Sequence, residues 1–322
     1  MGLDMIGGYG RFAILAAICL IAFGGKVGRS AEEAKRGLEA FSVPDGYVVE
    51  LIATPPQTLR PMMGGFDDRG RLYLAESAGE NLEAKDLLAK TPNFIRRLSD
   101  NDGDGRFESS TIFADKMTFP MGALWYRGSV YSASPPYIWK LTDTDDDGVA
   151  DKREILVGAF GFIGNAADIH GCFLSPGGRI YWCDGRHGHE FLDEKGRVLS
   201  KGKAARIFSC RPDGSDVRWH AGGGMDNPVE VDFLPEGPTL GVVNLFYPKR
   251  GDCLVHWLHG GVYPREDMPV QIAEFKRTGD LLGPVHDFGH VAVAGCLRYQ
   301  SRSLGEDFEG NWFVCEFNTH KV

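Results

Sequence analysis

The chain has little that would make it helical, membrane-embedded or nucleic-acid-binding. Its one long apolar run, from Phe12 to Phe23, is too short to cross a bilayer comfortably. Amphipathic helical period is scarce outside residues 31–40 and 81–90. There is no basic excess, since 35 Lys and Arg stand against 44 Asp and Glu for a formal charge of −9. That balance argues against a nucleic-acid or anionic-membrane surface. No C-x-x-C-H occurs, which excludes attachment of a c-type haem, and the cysteine spacings do not form a zinc site.

What is present is a chain of 322 residues with ordinary globular composition and 43 glycines against 17 prolines. The length suits one large β-domain or two smaller domains, and the glycines imply many turns. Residues 1–31 stand apart. Arg11 precedes the apolar run and small residues follow it, which fits a secretory signal peptide or N-terminal anchor. Cys19 follows Ile18, a poor context for lipidation. The expectation is export to the periplasm or cell envelope. Six cysteines then remain, Cys172, Cys183, Cys210, Cys253, Cys296 and Cys315, an even number that permits disulfides without dictating a pairing. Cys172 and Cys183 flank Ser175-Pro176-Gly177-Gly178. They stand opposite if the two glycines form the turn, and out of register if Pro176-Gly177 is its centre.

One acidic loop occurs twice. Asp100-Asn101-Asp102-Gly103-Asp104-Gly105-Arg106-Phe107-Glu108 and Asp143-Thr144-Asp145-Asp146-Asp147-Gly148-Val149-Ala150-Asp151 both fit D-x-D-x-D-G-x-x-[D/E]. Four carboxylates packed this closely repel one another unless a hard cation neutralises them. Ca²⁺ takes six to eight oxygens, and glycine at position 6 permits the turn that folds the ligands inward. An acidic solvated turn explains one such loop, but two in the same register favour calcium. The ligand set is Asp100, Asp102, Asp104 and Glu108 in the first loop, and Asp143, Asp145, Asp147 and Asp151 in the second. Position 4 points away from the ion, so Asp145→Ala should cost more than Asp146→Ala. An EF-hand would also need a Glu at position 12, which only the second copy has, as Glu154. The flanks, Phe94-Ile95-Arg96-Arg97-Leu98 and Tyr137-Ile138-Trp139-Lys140-Leu141, are β-prone, so the loops should link strands.

From Phe41 onward a second unit recurs, a glycine turn followed by a strand. The copies are Gly70-Arg71-Leu72-Tyr73, Gly128-Ser129-Val130-Tyr131, Gly178-Arg179-Ile180-Tyr181 and Gly310-Asn311-Trp312-Phe313, with a weaker one at Gly237. Irregular repeats of strand and turn at this spacing favour an all-β propeller over a sandwich.

Several stretches resemble a known family. They are Phe41-Ser42-Val43-Pro44-Asp45-Gly46-Tyr47, Gly70 to Glu76, both aspartate loops, Ala167-Asp168-Ile169-His170-Gly171 and Cys183-Asp184-Gly185-Arg186-His187-Gly188-His189. Gly223-Gly224-Met225-Asp226-Asn227-Pro228-Val229 and Gly289 to Gly295 continue it. Together, across residues 41–322, they resemble the N-terminal propeller of membrane-bound dehydrogenases of planctomycetes and verrucomicrobia, related to soluble pyrroloquinoline-quinone (PQQ) glucose dehydrogenases. The resemblance implies a propeller of six-bladed type. Relatives continue into a further blade where this chain stops at Asn318-Thr319-His320-Lys321-Val322. The expectation is therefore a C-terminally incomplete domain at 41–322, an arc of about five blades. Its interblade face near Phe313 and Phe317 should be partly exposed, and a downstream polypeptide could complete it.

The densest polar cluster is Asp168, His170, Asp184, Arg186, His187 and His189. A hairpin through the Pro-Gly-Gly turn would bring its two halves to one end of a blade. A neutral His there could take a hydroxyl proton while an Arg holds an anionic oxygen. The resemblance makes His170 the candidate base, with Arg186 and Asp168 beside it, and Asp226, Asn227, His187 and His189 on the cofactor side. Taken singly, each histidine is as well explained by a hydrogen bond to its own loop. Two functions follow. One is an exported, calcium-stabilised quinoprotein-like dehydrogenase using PQQ to oxidise a sugar or other alcohol. The other is a non-catalytic propeller that binds glycans or a protein with the same cluster. An anionic cofactor pocket needs Arg or Lys lining it, and Arg186 is the one strong candidate in the cluster.

Overall fold

A computed structural model describes residues 37–322 apart from 39, 166, 194, 238, 247–250 and 266. The reading of residues 1–31 therefore falls outside the described residues. Strands β1 (Pro61–Phe66), β2 (Leu72–Glu76), β3 (Asn93–Ser99) and β4 (Ser109–Met117) form one antiparallel sheet in that order. A short helix, α1 (Ala84–Lys90), falls inside the helical stretch expected at 81–90 and joins β2 to β3. The second sheet repeats the meander with β5 (Leu124–Tyr126), β6 (Ser129–Ser134), β7 (Tyr137–Thr142) and β8 (Lys152–Gly158).

The third sheet begins with β9 (His170–Leu174) and β10 (Ile180–Asp184). A two-stranded hairpin, β11 (His189–Leu192) and β12 (Val198–Gly202), stands apart before β13 (Ala205–Cys210) and β14 (Arg218–Gly224) complete the sheet. The fourth sheet contains β15 (Asn227–Pro228), β16 (Asp232–Phe233), β17 (Thr239–Phe246) and β18 (Gly251–His256). The chain then sends β19 (Gly261–Pro264) back to lie parallel against β14. After the single turn α2 (Pro269–Ile272), β20 (His286–Asp287) pairs with β18, and a hairpin of β21 (Val293–Arg298) and β22 (Trp312–Glu316) follows. The chain is all-β in architecture, with four propeller blades and a two-stranded hairpin in the fifth place.

The glycine-turn repeat explains how the sheets stack. In each copy the residue after Arg or Ser faces the preceding blade and the aromatic beside it faces the next, because successive strand residues point to opposite faces. Tyr73 and Val130 meet in the core between blades 1 and 2, with Ile95, Phe113 and Leu141. Tyr131 and Ile180 meet between blades 2 and 3, with Trp182 and Phe208. Cys183, Ile207, Val243, Val255 and Tyr263 fill the space between blades 3 and 4, with Tyr181 packed against them. Val242, Leu254 and Val293, with Trp312 against them, join blade 4 to the terminal hairpin. The hydrophobic core is thus a series of interblade layers.

The inner strands approach closely. A Cβ on Gly122, just before β5, would stand 1.7 Å from the Gly171 carbonyl oxygen of β9, so only glycine fits there. Cys172, Cys183, Cys210, Cys253 and Cys296 are buried free thiols. Cys172 and Cys210 share the layer toward blade 2, Cys183 and Cys253 share the blade 3–4 core, and Cys296 lies in the layer between blade 4 and the terminal hairpin. Among the described residues no helix is long and apolar enough to cross a membrane.

Candidate functional site

Strand direction sorts the loops into two ends. β9 starts where β10 finishes, so the β10–β11 loop, the segment before β9 and the β14–β15 connection share one end. Both acidic loops follow the third strand of their blade, linking β3 to β4 and β7 to β8, and so lie at the opposite end. Whatever the acidic loops hold is remote from the polar cluster.

At the first end a cleft of about 310 Å³ opens between blades 3 and 4 and the terminal hairpin. Asn165, Ala167 and Arg186 line it from blade 3. Asp226, Asn227, Asn244 and Asp252 come from blade 4, and His290 and Ala292 from the lead into β21. Arg186 Nη1 donates to Asp226 Oδ1 at 2.7 Å, and Arg265 Nη1 stands 2.8 Å from the same oxygen. Asp252 Oδ2 accepts the backbone N–H groups of Val291 (2.8 Å) and Ala292 (2.5 Å), and so fixes the hairpin lead against blade 4. Asn227 and Asn244 are register partners across β15 and β17. The Oδ1 atom of each is buried and has no hydrogen-bond partner. Two buried acceptors without donors carry a desolvation cost that an incoming donor would remove.

Arg186, Asp226 and Asn227 were legible in the sequence and do meet in this cleft. The rest of the polar cluster gathers beside it without lining it. The Asp168 carboxylate accepts the N–H groups of Ile163, Gly164 and Asn165 at 2.8 to 3.0 Å, which shapes the loop carrying Asn165. His187 Nε2 lies 3.7 Å from Asp168 Oδ1, and burial holds its imidazole below the usual range. His170, at the start of β9, is 2% exposed and pairs in register with Cys183. His189 is enclosed by Phe191 and Phe208, with Ser200 Oγ at 2.9 Å from Nε2 and Asp184 Oδ2 at 3.3 Å from Nδ1. Burial pushes the Asp184 carboxyl up, and His189 acts against that shift. These histidines are held by packing and short polar contacts rather than presented to solvent.

Sequence reasoning missed Asn244, Asp252 and His290. His290 lies within the Gly289–Gly295 stretch that carries part of the resemblance, a signal that pointed to the family and not to the cleft. Asn244 and Asp252 sit singly in strands and give no local sign.

At the opposite end the first acidic loop brings carboxylate oxygens of Asp100, Asp102, Asp104 and Glu108 within 4.8 Å of one another. In the second, Asp143, Asp145 and Asp151 converge in the same way. Asp147 stands outside that set and accepts the Val149 N–H at 2.8 Å. Glu154 pairs with Lys152 at 2.9 Å instead of closing the loop, so the EF-hand pattern is absent here too. Asp146, at position 4, does turn away from the cluster. It reaches Arg69 at 2.5 Å and Arg71 at 2.7 Å, both on the β1–β2 turn of blade 1. The hydrogen bond from Arg71, with that from Arg69, holds the Asp146 carboxyl down at about 2. Its removal would therefore cost these two ion pairs to blade 1, a role that the sequence spacing does not show.

The profile of DUF7133, a domain of unknown function, matches residues 33–232. The chain belongs to that family. None of the curated proteins matches it. Among solved structures, a carbohydrate-active enzyme of family AA12 from Trichoderma reesei aligns at 16% identity and TM-score 0.44, over 66% of this chain and 57% of that one. The PQQ domain of pyranose dehydrogenase from Coprinopsis cinerea aligns at 14% identity and TM-score 0.44, over 68% and 55%. A glucose dehydrogenase aligns at 14% identity and TM-score 0.43, over 83% and 79%. This member of the DUF7133 family thus spans little more than half the length of the first two structures. The propeller arrangement rests on its own sheet order.

Proposed function

We propose that this protein is a calcium-stabilised propeller that binds a neutral, hydroxyl-rich ligand, a sugar or polyol, in the cleft between blades 3 and 4 and the terminal hairpin. The observation that carries this reading is the pair of unpartnered acceptors, Asn227 Oδ1 and Asn244 Oδ1, lining that cleft. Hydroxyl groups supply the donors these oxygens lack, and the carboxylates of Asp226 and Asp252 are further acceptors for them.

PQQ fits this lining poorly. It is a quinone with several ionised carboxylates and so is rich in acceptors. Against it stand two carboxylates and two amide oxygens, while the Arg186 and Arg265 guanidinium groups are already directed at Asp226. The buried His170 is also outside the cleft lining. No step through a quinone is derived for this chain. The dehydrogenase reading rests on the sequence resemblance alone.

Ca²⁺ is assigned to both acidic loops on the chemistry of their donor sets, as a structural ion at the end of the blades away from the cleft. Export to the periplasm or envelope follows from residues 1–31.

The deciding experiment is calorimetric titration of the purified chain with a panel of mono- and oligosaccharides, with PQQ in the presence of Ca²⁺ as a parallel arm. Binding of a neutral saccharide that is lost in Asn244→Ala supports the reading. Tight PQQ binding with dye-linked sugar oxidation would overturn it in favour of the dehydrogenase.

A further inference from the structure

The two acidic loops differ in what surrounds them. The first is largely solvated and touches the lead into blade 1, where the Phe107 N–H donates to Ile52 O at 2.8 Å. The second is pressed against blade 1 at several points. Arg97 of β3 reaches Asp143 Oδ2 at 3.4 Å, and the Gly148 N–H donates to the same oxygen at 2.8 Å. The Ala150 N–H donates to Phe113 O of β4 at 2.7 Å, while Asp146 holds Arg69 and Arg71. Glycine at 148 suits this fit, because its φ is +98° and a Cβ there would also push on the Arg97 guanidinium at 2.2 Å.

Asp143 is the decisive residue. Its side chain is 9% exposed. One oxygen, Oδ2, is satisfied by Arg97 and Gly148. The other, Oδ1, is buried without a hydrogen-bond partner and belongs to the carboxylate that converges with Asp145 and Asp151. A buried carboxylate oxygen in that position needs a cation or a donor, and the convergent neighbours are themselves acceptors.

We propose that the 143–151 loop holds a divalent cation whose binding is coupled to the seating of blade 2 on blade 1, with Asp143 shared between the cation and Arg97. This rests on the calcium reading above. The cation side fixes Asp143, Asp145 and Asp151, and the blade 1 side fixes Asp143, Asp146 and Ala150. The loop between them has one compact arrangement that satisfies both sets. Coupling of this kind is reciprocal, so whatever loosens the blade contact must weaken the ion and the reverse.

The test uses the full chain after chelation, with the first loop silenced by Asp102→Asn and Asp104→Asn. Ca²⁺ alone is titrated by calorimetry into this protein and into the same protein carrying Asp146→Ala. Asp146 is half exposed and is not in the convergent set, so the variant should fold. Its affinity for Ca²⁺ should fall by about threefold or more, the scale set by two exposed ion pairs. Hydrogen exchange on the wild type is the second measurement. Ca²⁺ should slow exchange at Ala150 and across the Arg69–Arg71 turn, and Asp145→Asn should abolish the slowing. Both results together support the proposal. Equal or tighter binding in Asp146→Ala, or unchanged exchange at Ala150 on saturation, overturns the coupling and leaves the calcium reading standing. Absence of Ca²⁺ binding at either loop of the wild type overturns both.

Discussion

Glu230, between β15 and β16, accepts the backbone N–H of Cys296 on β21 at 3.2 Å. Two residues on, Asp232 Oδ2 accepts the N–H of Arg298 at 2.6 Å. Blade 4 therefore grips the terminal hairpin by two alternating carboxylates. Burial pushes the Glu230 carboxyl from its ordinary value near 4.5 up to about 8; the Cys296 N–H opposes the shift and Asp232 adds to it. For an acid whose folded value is raised, stability is complete below the unfolded value and is lost as pH rises through the folded one. Stability should thus decline between about pH 4.5 and 8. Each unit is worth about 1.4 kcal/mol, so the loss from this group amounts to a few kcal/mol. Glu230→Gln should flatten the decline, with little effect at pH 5 and a higher melting temperature than wild type at pH 9. Parallel melting curves that keep the same pH slope in both proteins would contradict it.

The acidic loops predict a melting temperature that rises with Ca²⁺. In the first loop Asp100 is held below its usual range chiefly by the Gly105 N–H, so the carboxylate is already charged and oriented for a cation. A ligand that binds the native state alone stabilises it by mass action, about 2.7 kcal/mol at a hundredfold excess over Kd. Asp102→Asn and Asp145→Asn should each remove part of the response. A melting temperature indifferent to millimolar Ca²⁺ would end the calcium reading.

Buried acceptors kept without donors cost stability, and a protein retains that cost where a ligand needs them. Asn244→Ala should therefore leave the melting temperature unchanged or raise it while weakening saccharide binding about tenfold or more, the scale of one to three kcal/mol for a desolvated hydrogen bond. A matching loss of stability would instead make Asn244 an ordinary structural residue of β17.

His170 is buried at the start of β9 and outside the cleft lining. His170→Gln should lower stability by about 1–3 kcal/mol, the usual cost of disturbing a buried polar group, and leave saccharide affinity nearly unchanged. Thermal melting beside calorimetry separates the two effects. Lost turnover with an unchanged melting temperature would restore His170 as a base.

How much of this was written locally in the chain can be seen from three places. The pairs Leu72-Tyr73, Val130-Tyr131 and Ile180-Tyr181 alternate across a strand, so neighbouring residues had to face different blades. The acidic loops were legible because every carboxylate lies within nine residues. The cleft was legible only in part. Arg186 and Asp226-Asn227 stood in glycine-rich turns, but Asn244, Asp252 and His290 reach them only after blade 4 and the hairpin have stacked. The role of Asp146 was hidden for the same reason, since Arg69 and Arg71 are more than seventy residues away.

The last prediction concerns the forward face of the terminal hairpin. By the alternation seen in each blade, Trp312 packs back on blade 4 and Phe313 faces forward. Phe308 stacks on Phe313 with ring centres 5.9 Å apart, and Tyr47 meets Phe308 edge-on at 5.7 Å while its hydroxyl donates to Leu304 O. A few residues further, Ile52 and Ala53 pack against Leu72, Leu98 and Phe107 of blade 1. The stretch from Tyr47 to Ala53 therefore links the last hairpin to the first blade, so the face near Phe313 is covered in part, while Phe317 stays 41% exposed. If this link is what holds the hairpin, Tyr47→Ala should cost about 1–3 kcal/mol through the lost aromatic contact and hydrogen bond. Tyr47→Phe, which keeps the ring, should cost about 1 kcal/mol or less. Hydrogen exchange across residues 304–313 should accelerate in Tyr47→Ala and barely change in Tyr47→Phe. Because Phe107 N–H is bonded to Ile52 O, chelating Ca²⁺ should speed exchange at Phe107 as well as at 304–313. Unchanged exchange at 304–313 in Tyr47→Ala would mean that the hairpin is held by blade 4 alone, through Glu230 and Asp232.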